Sequence, residues 1–343
     1  MIKVISISKN KMDKTLFLEK IRSLVTESNK NPPQKSKKWI SMKRYRIGAS
    51  EVSNACNCFN SRKSFINNKV KSILYGTVSF KGNAATRFGE KYEPVIRALH
   101  EKITNTVVIE LNYIIDDKYP FIGVSPDGLA IRFKSDKKKE EFIKADCSLD
   151  VLNNDDIAEI FLCEYKCPYS REIKNKMPDY YLYQVLMQMG ITGVPECDFV
   201  EGQFYEINDI QDLPEEYLYS GGFSKNEGKV FINEKNLEPS VETSWYITKI
   251  NKIRTHMDES EYHKIILACT ETYYDILYKA RQQLIIDHEL YNLPDRKYKE
   301  KIRKLKCCRK KYISKIKNRV ELINQFKNKN DIYINYDKLI KNE

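Results

Sequence analysis

FIGVSPDGLAIRF at residues 121–133 and AEIFLCEYK at residues 158–166 are the two stretches on which the fold turns. In the first, apolar runs flank Pro126-Asp127-Gly128. Proline presets φ, aspartate bonds to its own backbone and glycine tolerates any φ, so the run predicts strand, tight turn, strand. The second run is apolar enough for a central strand. Its side chains alternate with period two, so Glu164 and Lys166 share a face. Charges near the end of a buried strand are costly unless paired or bound. Asp127, in a turn after an adjacent strand, can reach the same strand end. Carboxylates beside a lysine suit a hard cation such as Mg2+, which takes few carboxylates and completes its shell with water and phosphate. On spacing alone an ordinary Asp-Gly turn and a surface Glu/Lys pair compete with that reading.

Working outward, residues 84–103 predict a helix with Phe88, Tyr92, Ile96 and Leu99 on its apolar face and Glu93 beside them. Pro94 either kinks this helix or lies near its start. Residues 106–115 are β-branched and predict a strand. Residues 178–192 predict a helix that opens at Pro178 and stops before Gly193. Two further strands are expected at 197–207 and 244–250. Residues 13–29, 258–290 and 296–326 have helical spacing. Ser50 suits a helix N-cap, with Glu51 in the first turn. NPPQKSKK at 31–38 reads as a linker, and Trp39 opens the main domain. The charged run 134–158 reads as an insertion or exposed loop. The expectation is a mixed α/β core, divided as a basic N-terminal helix and linker (1–38), a core (39–255) and a basic helical extension (256–343).

The 343 residues carry a formal net charge of +12, unevenly spread. Residues 296–330 hold 15 Lys/Arg against two Asp/Glu, and residues 1–38 hold ten against three, so residues 39–295 are left at −8. Basic ends suit a polyanion, although a solvated face reads the same way. The 296–326 helix is therefore either a clamp on a nucleic-acid backbone or a packed helix with a wet face. No run of about 18 apolar residues is present, so no membrane partner is expected. MIKVISISKN has too short an apolar stretch for a signal peptide, and nine cysteines form no regular framework, so an intracellular, reduced protein is expected. The four histidines form no ligand pair, and His256 and His263 read as surface residues in a helical region. Cys56, Cys58, Cys163, Cys167, Cys269, Cys307 and Cys308 lack cluster-like spacing and read as structural thiols. Tyr180, Tyr181 and Tyr183 read as core packing before base stacking.

Five motifs occur in order: Trp39…Arg44-x-x-Ile47-Gly48-Ala49-Ser50-Glu51-Val52, Gly89-Glu90-x-Tyr92-Glu93-Pro94, Ser125-Pro126-Asp127-Gly128, Glu164-Tyr165-Lys166-Cys167-Pro168 and Tyr181-x-x-Gln184-Val185-x-x-Gln188-Met189. Together they resemble the lambda-exonuclease branch of the PD-(D/E)XK nucleases, with its YqaJ-type viral recombinases and its kinship to viral alkaline nucleases. The resemblance covers residues 39–190.

It implies a PD-(D/E)XK restriction-endonuclease-like fold, a central mixed sheet flanked by helices. It also implies a metal-dependent exonuclease working 5′-to-3′ on duplex DNA ends, in viral or mobile-element recombination or repair. Alternatives within that resemblance are an endonuclease or an RNA-degrading host-shutoff enzyme; outside catalysis, a DNA-binding recombination factor. Asp127, Glu164, the carbonyl of Tyr165 and Glu93 would hold Mg2+, with Mn2+ as substitute. Glu90, one turn away, competes with Glu93. Lys166 would orient and activate water, and Gln184 would support the site. Arg44 (or Lys43, one residue away), Ser50 and Ser125 would surround a 5′-phosphate. A single-strand annealing protein is an implied partner, a homotrimer an implied assembly, and the cytoplasm or nucleus of a host an implied location. The 36 residues between Asp127 and Glu164 exceed what the simplest members carry, which marks 134–158 as inserted.

Overall fold

The computed structural model describes residues 14–76, 82–224, 229–235, 239–240 and 242–291. The chain begins with α1 (Lys14–Asn29) and α2 (Lys37–Arg44), then β1 (Ile47–Gly48), α3 (Val52–Ala55) and α4 (Arg62–Tyr75). Next come α5 (Ala84–Thr104), β2 (Thr106–Ile109), β3 (Ile114–Ile115), β4 (Ile122–Val124) and β5 (Gly128–Phe133). After α6 (Asp136–Lys144), β6 (Ile157–Lys166), α7 (Asp179–Thr192) and β7 (Glu196–Glu206) form the centre. Strands β8 (Tyr219–Phe223), β9 (Val230–Glu234) and β10 (Trp245–His256) precede the long α8 (Glu259–Tyr291). The helix expected over 296–326, and the clamp read from it, lie outside the described residues. No described helix is long and apolar enough to cross a membrane.

Seven strands form one sheet in the order β2-β5-β6-β7-β10-β8-β9. Strands β6 and β7 are parallel, and the other pairs are antiparallel, which makes the sheet mixed. Strand alternation gives β6 two buried faces. Phe161, Cys163 and Tyr165 join Tyr92, Val95, Ile96 and Leu99 of α5 in one apolar layer. Leu162 turns the other way, toward Val185 and Met189 of α7 and Ile265 and Tyr273 of α8. Leu18 and Ile21 of α1 belong to that same second layer. Helices on both faces of a mixed sheet are the expected PD-(D/E)XK arrangement.

Several local expectations change. Residues 121–133 are no hairpin, because β4 pairs with β1 and β3 in a separate three-stranded sheet while β5 pairs with β2 and β6. Pro126-Asp127 is thus a passage between sheets. Residues 106–115 split for the same reason: β2 lies in the large sheet and β3 in the small one. Pro94 sits inside α5, which runs unbroken from its Asn83 cap to Asn105. Residues 134–158 hold α6, capped by Ser135 and anchored by buried Phe142. His256 ends β10 rather than lying in a helix. Ser50 is not an N-cap: it lies within a 3-10 turn whose capping residue is Gly48, and the Glu51 carboxylate accepts the Gly48 N–H at 2.9 Å.

Candidate active site

The register of β5 against β6 sets the site. Gly128 pairs with Cys163, which brings Asp127 to the end of β6. A Cβ on Gly128 would lie 2.2 Å from Val108 Cγ1, so only glycine allows β5 to start this close to β2. The Asp127 N–H donates to the Cys163 carbonyl (3.1 Å), and its Oδ2 accepts the Tyr165 N–H (2.7 Å). Asp127 therefore reaches the strand end that the sequence assigned to it.

Glu164 is 1% exposed and has both oxygens engaged. Gln184 and Gln188, one turn apart on α7, donate to its Oε1 (2.5 Å) and Oε2 (2.7 Å). Lys166 also donates to Oε1, and to the Tyr165 carbonyl at 3.1 Å. Lys166 Nζ lies 5.4 Å from the Tyr181 ring centre, and Tyr181 packs on Phe199. Tyr181 thus packs beside the lysine, with Tyr180 against it. Gln188 was present in the motif but not assigned a role; its position four residues after Gln184 was the available signal.

Glu93 reaches the site from α5, on the opposite face of the sheet. Its carboxylate and that of Glu90 both approach Lys35 Nζ, at 3.7 and 3.9 Å. Lys35 lies in the stretch that reads as linker, and nothing in its sequence context marks it.

The electrostatics follow from this crowding. Burial is the main cause that pushes the Asp127 carboxyl well above its ordinary range, and the neighbouring Glu164 and Glu93 charges add to it. Burial works against the Lys166 charge, but Glu164 and Asp127 outweigh it and hold the ammonium above its ordinary value. These neighbours favour the ammonium form of Lys166, which donates its hydrogen bonds to Glu164 and the Tyr165 carbonyl.

The expected phosphate residues form a connected edge. Trp39 Nε1 donates to Ser125 Oγ (3.1 Å), and Lys43 Nζ donates to Ser50 Oγ (3.3 Å) while lying 4.9 Å from the Trp39 ring centre. A Cβ at Gly48 would come within 2.8 Å of Lys43 Cε, so glycine there leaves room for that lysine. Arg44 lines a 260 Å3 cleft with Trp39, Lys43, Phe65 and Lys69. Burial lowers the Lys43 ammonium, although Glu51 opposes the shift. Lys43, the alternative to Arg44, thus meets Ser50.

Among the described residues, no three His, Cys, Asp or Glu side chains converge as a ready metal cage. The donors still fit a hard cation. Mg2+ needs only one or two carboxylates plus substrate and water, and a divalent charge would offset the repulsion that raises Asp127. Burial holds the Cys163, Cys167 and Cys197 thiols above their ordinary range. Cys307 and Cys308 lie outside the described residues.

Residues 38–195 match the family model of the YqaJ-like viral recombinase domain. Two particular relatives are viral. Protein D345L of African swine fever virus (isolate Tick/Malawi/Lil 20-1/1983) is 28% identical over 186 residues, 51% of each chain. The uncharacterized protein R354 of Acanthamoeba polyphaga mimivirus is 28% identical over 143 residues, 39% of this chain and 23% of that one. This chain thus spans about half the length of the first of these relatives. Among solved structures it is similar to LHK-Exo, an alkaline exonuclease from Laribacter hongkongensis, with a TM-score of 0.47 and 19% identity over 74% of this chain and all of that one.

Proposed function

We propose that this protein is a divalent-metal-dependent nuclease that hydrolyses phosphodiester bonds from 5′ ends of duplex DNA. The observation that carries this reading is the meeting of Asp127, Glu164 and Lys166 at one strand end, with Glu93 approaching round the sheet. Asp127, Glu164, the Tyr165 carbonyl and Glu93 are the proposed ligands for Mg2+, or Mn2+ in its place. When bound, the cation would stabilise negative charge developing on the phosphoryl oxygens. Gln184 and Gln188 fix the Glu164 carboxylate so that little reorganisation is needed during reaction. Lys166, held as a cation, orients the attacking water by donating to it and offsets charge in the transition state. Lys43, Ser50, Ser125 and Arg44 would receive a terminal 5′-phosphate, with Trp39 holding Ser125 in place. That edge favours an end over an internal bond. The match of residues 38–195 to a viral recombinase domain supports a role in viral recombination, with a single-strand annealing protein and a homotrimer as the proposed partner and assembly.

The test is a digestion of linear 5′-phosphorylated, linear 5′-hydroxyl and covalently closed circular duplex DNA, each with Mg2+ or EDTA. Loss of the linear phosphorylated substrate in Mg2+ alone is expected. Cutting of the circle would make the protein an endonuclease, and cutting in EDTA would end the metal reading.

The two helix carboxylates can be separated. Asp127 responds to the charge of Glu93, so Glu93→Gln is expected to weaken Mn2+ binding and lower kcat about 10- to 100-fold, the usual cost of a disturbed metal shell. Glu90→Gln should stay within about threefold of the parent by the same measure. Paramagnetic titration with Mn2+ and steady-state cleavage would read both. The opposite ranking would transfer the role to Glu90.

A further inference from the structure

Behind the reacting face of β6 lies a polar cluster that the proposed reaction does not use. His100 is on α5, two helical turns beyond Glu93, and its side chain is 1% exposed. Its Nε2 lies 3.1 Å from Oδ2 of Asp198 on β7, which is fully buried, and its Nδ1 lies 3.0 Å from the Tyr165 hydroxyl. Arg254 of β10 donates from Nε to Asp198 Oδ1, from Nη2 to Oδ2 (3.2 Å) and from Nη1 to Glu196 (2.6 Å). The guanidinium lies 3.8 Å from the centre of the Phe161 ring. The carboxylate accepts from Nε2–H, and on a neutral imidazole Nδ1 then accepts the phenol proton.

The surrounding layer is apolar, built from Leu99, Phe161, Cys163 and Val200. Packed hydrophobic residues would fill such a layer as stably as a buried ion pair, and often more so. Stability alone therefore does not account for the cluster; its geometry does. The chain of contacts ends on Tyr165, whose N–H holds Asp127 and whose carbonyl accepts from Lys166. One imidazole also ties together α5, β6 and β7, the first two of which carry Glu93 and Glu164.

We propose that His100 and Asp198 are positioning residues that brace the Tyr165 main chain, and with it the Asp127, Glu164 and Glu93 donors, in the spacing a divalent cation needs. This rests on the metal-site reading above. Partners of this kind behind a metal shell typically change metal affinity or activity by 10- to 100-fold.

Tyr165→Phe removes only the hydroxyl and keeps the ring in the apolar layer, and His100→Leu removes the imidazole. Metal-free protein would be titrated with Mn2+ by electron paramagnetic resonance, duplex DNA binding measured in EDTA, and Tm recorded. Both variants are expected to bind Mn2+ about tenfold or more weakly, with DNA affinity unchanged and Tm lowered, because each leaves a buried polar partner short of a hydrogen bond. If His100→Leu fails to fold, Tyr165→Phe decides. Wild-type Mn2+ binding with an unaltered Tyr165→Phe affinity overturns the brace and leaves the metal site standing. A wild-type protein that binds no Mn2+ overturns both.

Discussion

Lys166→Ala is expected to lower kcat on the order of 100- to 1,000-fold, the usual cost of removing one preorganised donor from a developing charge. KM for DNA should change little, because the lysine meets the reacting centre rather than the duplex. The change also strips a cation from Glu164, which is almost fully buried. Gln184 and Gln188 still donate to that carboxylate, but breaking a buried pair commonly costs about 3 kcal/mol or more. The variant should therefore unfold earlier in denaturant as well. Lys166→Arg retains charge on a longer, forked group and should recover stability more fully than turnover. Stopped-time cleavage with paired denaturation curves separates the effects. Turnover within about threefold of the parent would remove Lys166 from the chemistry, whatever the stability change.

Asp127→Asn should produce the opposite sign in stability. Burial, Glu164 and Glu93 raise the Asp127 carboxyl in the folded protein. A carboxyl raised on folding stabilises fully below its unfolded pKa, and that contribution is lost as pH rises through the folded value. Above the unfolded carboxyl value the metal-free fold thus bears a free-energy cost at this group. Asparagine is nearly isosteric, and its carbonyl can still accept from Tyr165. The gain expected is about 1 kcal/mol, typical when strain at a functional site is relieved. The rise of stability on lowering pH from neutrality toward the unfolded carboxyl value should flatten. Cleavage should fall below detection together with Mn2+ binding. Calorimetry across pH in EDTA provides the test; a lower Tm at neutral pH would show that Asp127 is instead a net structural contributor.

Much of this site could be read from local sequence, because its parts are local devices. Glu164 and Lys166 share a face by strand period alone, and Asp127 follows a run of strand residues. The separation of β4 from β5 could not be read, since Pro-Asp-Gly between apolar runs looks the same whether the second strand folds back or enters another sheet. Strands β8 and β9 were missed because Tyr-Ser-Gly-Gly-Phe has no alternation, and their pairing comes from β10 and from each other. Lys35, Trp39 and the His100–Asp198 pair act through contacts 58 to 98 residues apart in the chain, where propensity and period carry no signal. Gln188 was nearer to legible: a second buried amide at helical spacing from Gln184 is a pattern, but its meaning depended on knowing that Glu164 lay opposite.

The antiparallel pairing of Gly128 with Cys163 has a corollary for how such chains diversify. Ladder register, not linear separation, fixes the span between the two acidic groups. Of the 36 intervening residues, only the stretch between the paired β5 and β6 is a free length: closing a longer loop costs only about 0.6 kcal/mol per doubling, and α6 lies within it. A distant cousin could carry ten residues there or eighty and keep the same span. Recognition rules written as fixed gaps between acidic letters would pass over it, whereas a rule written on strand pairing would not.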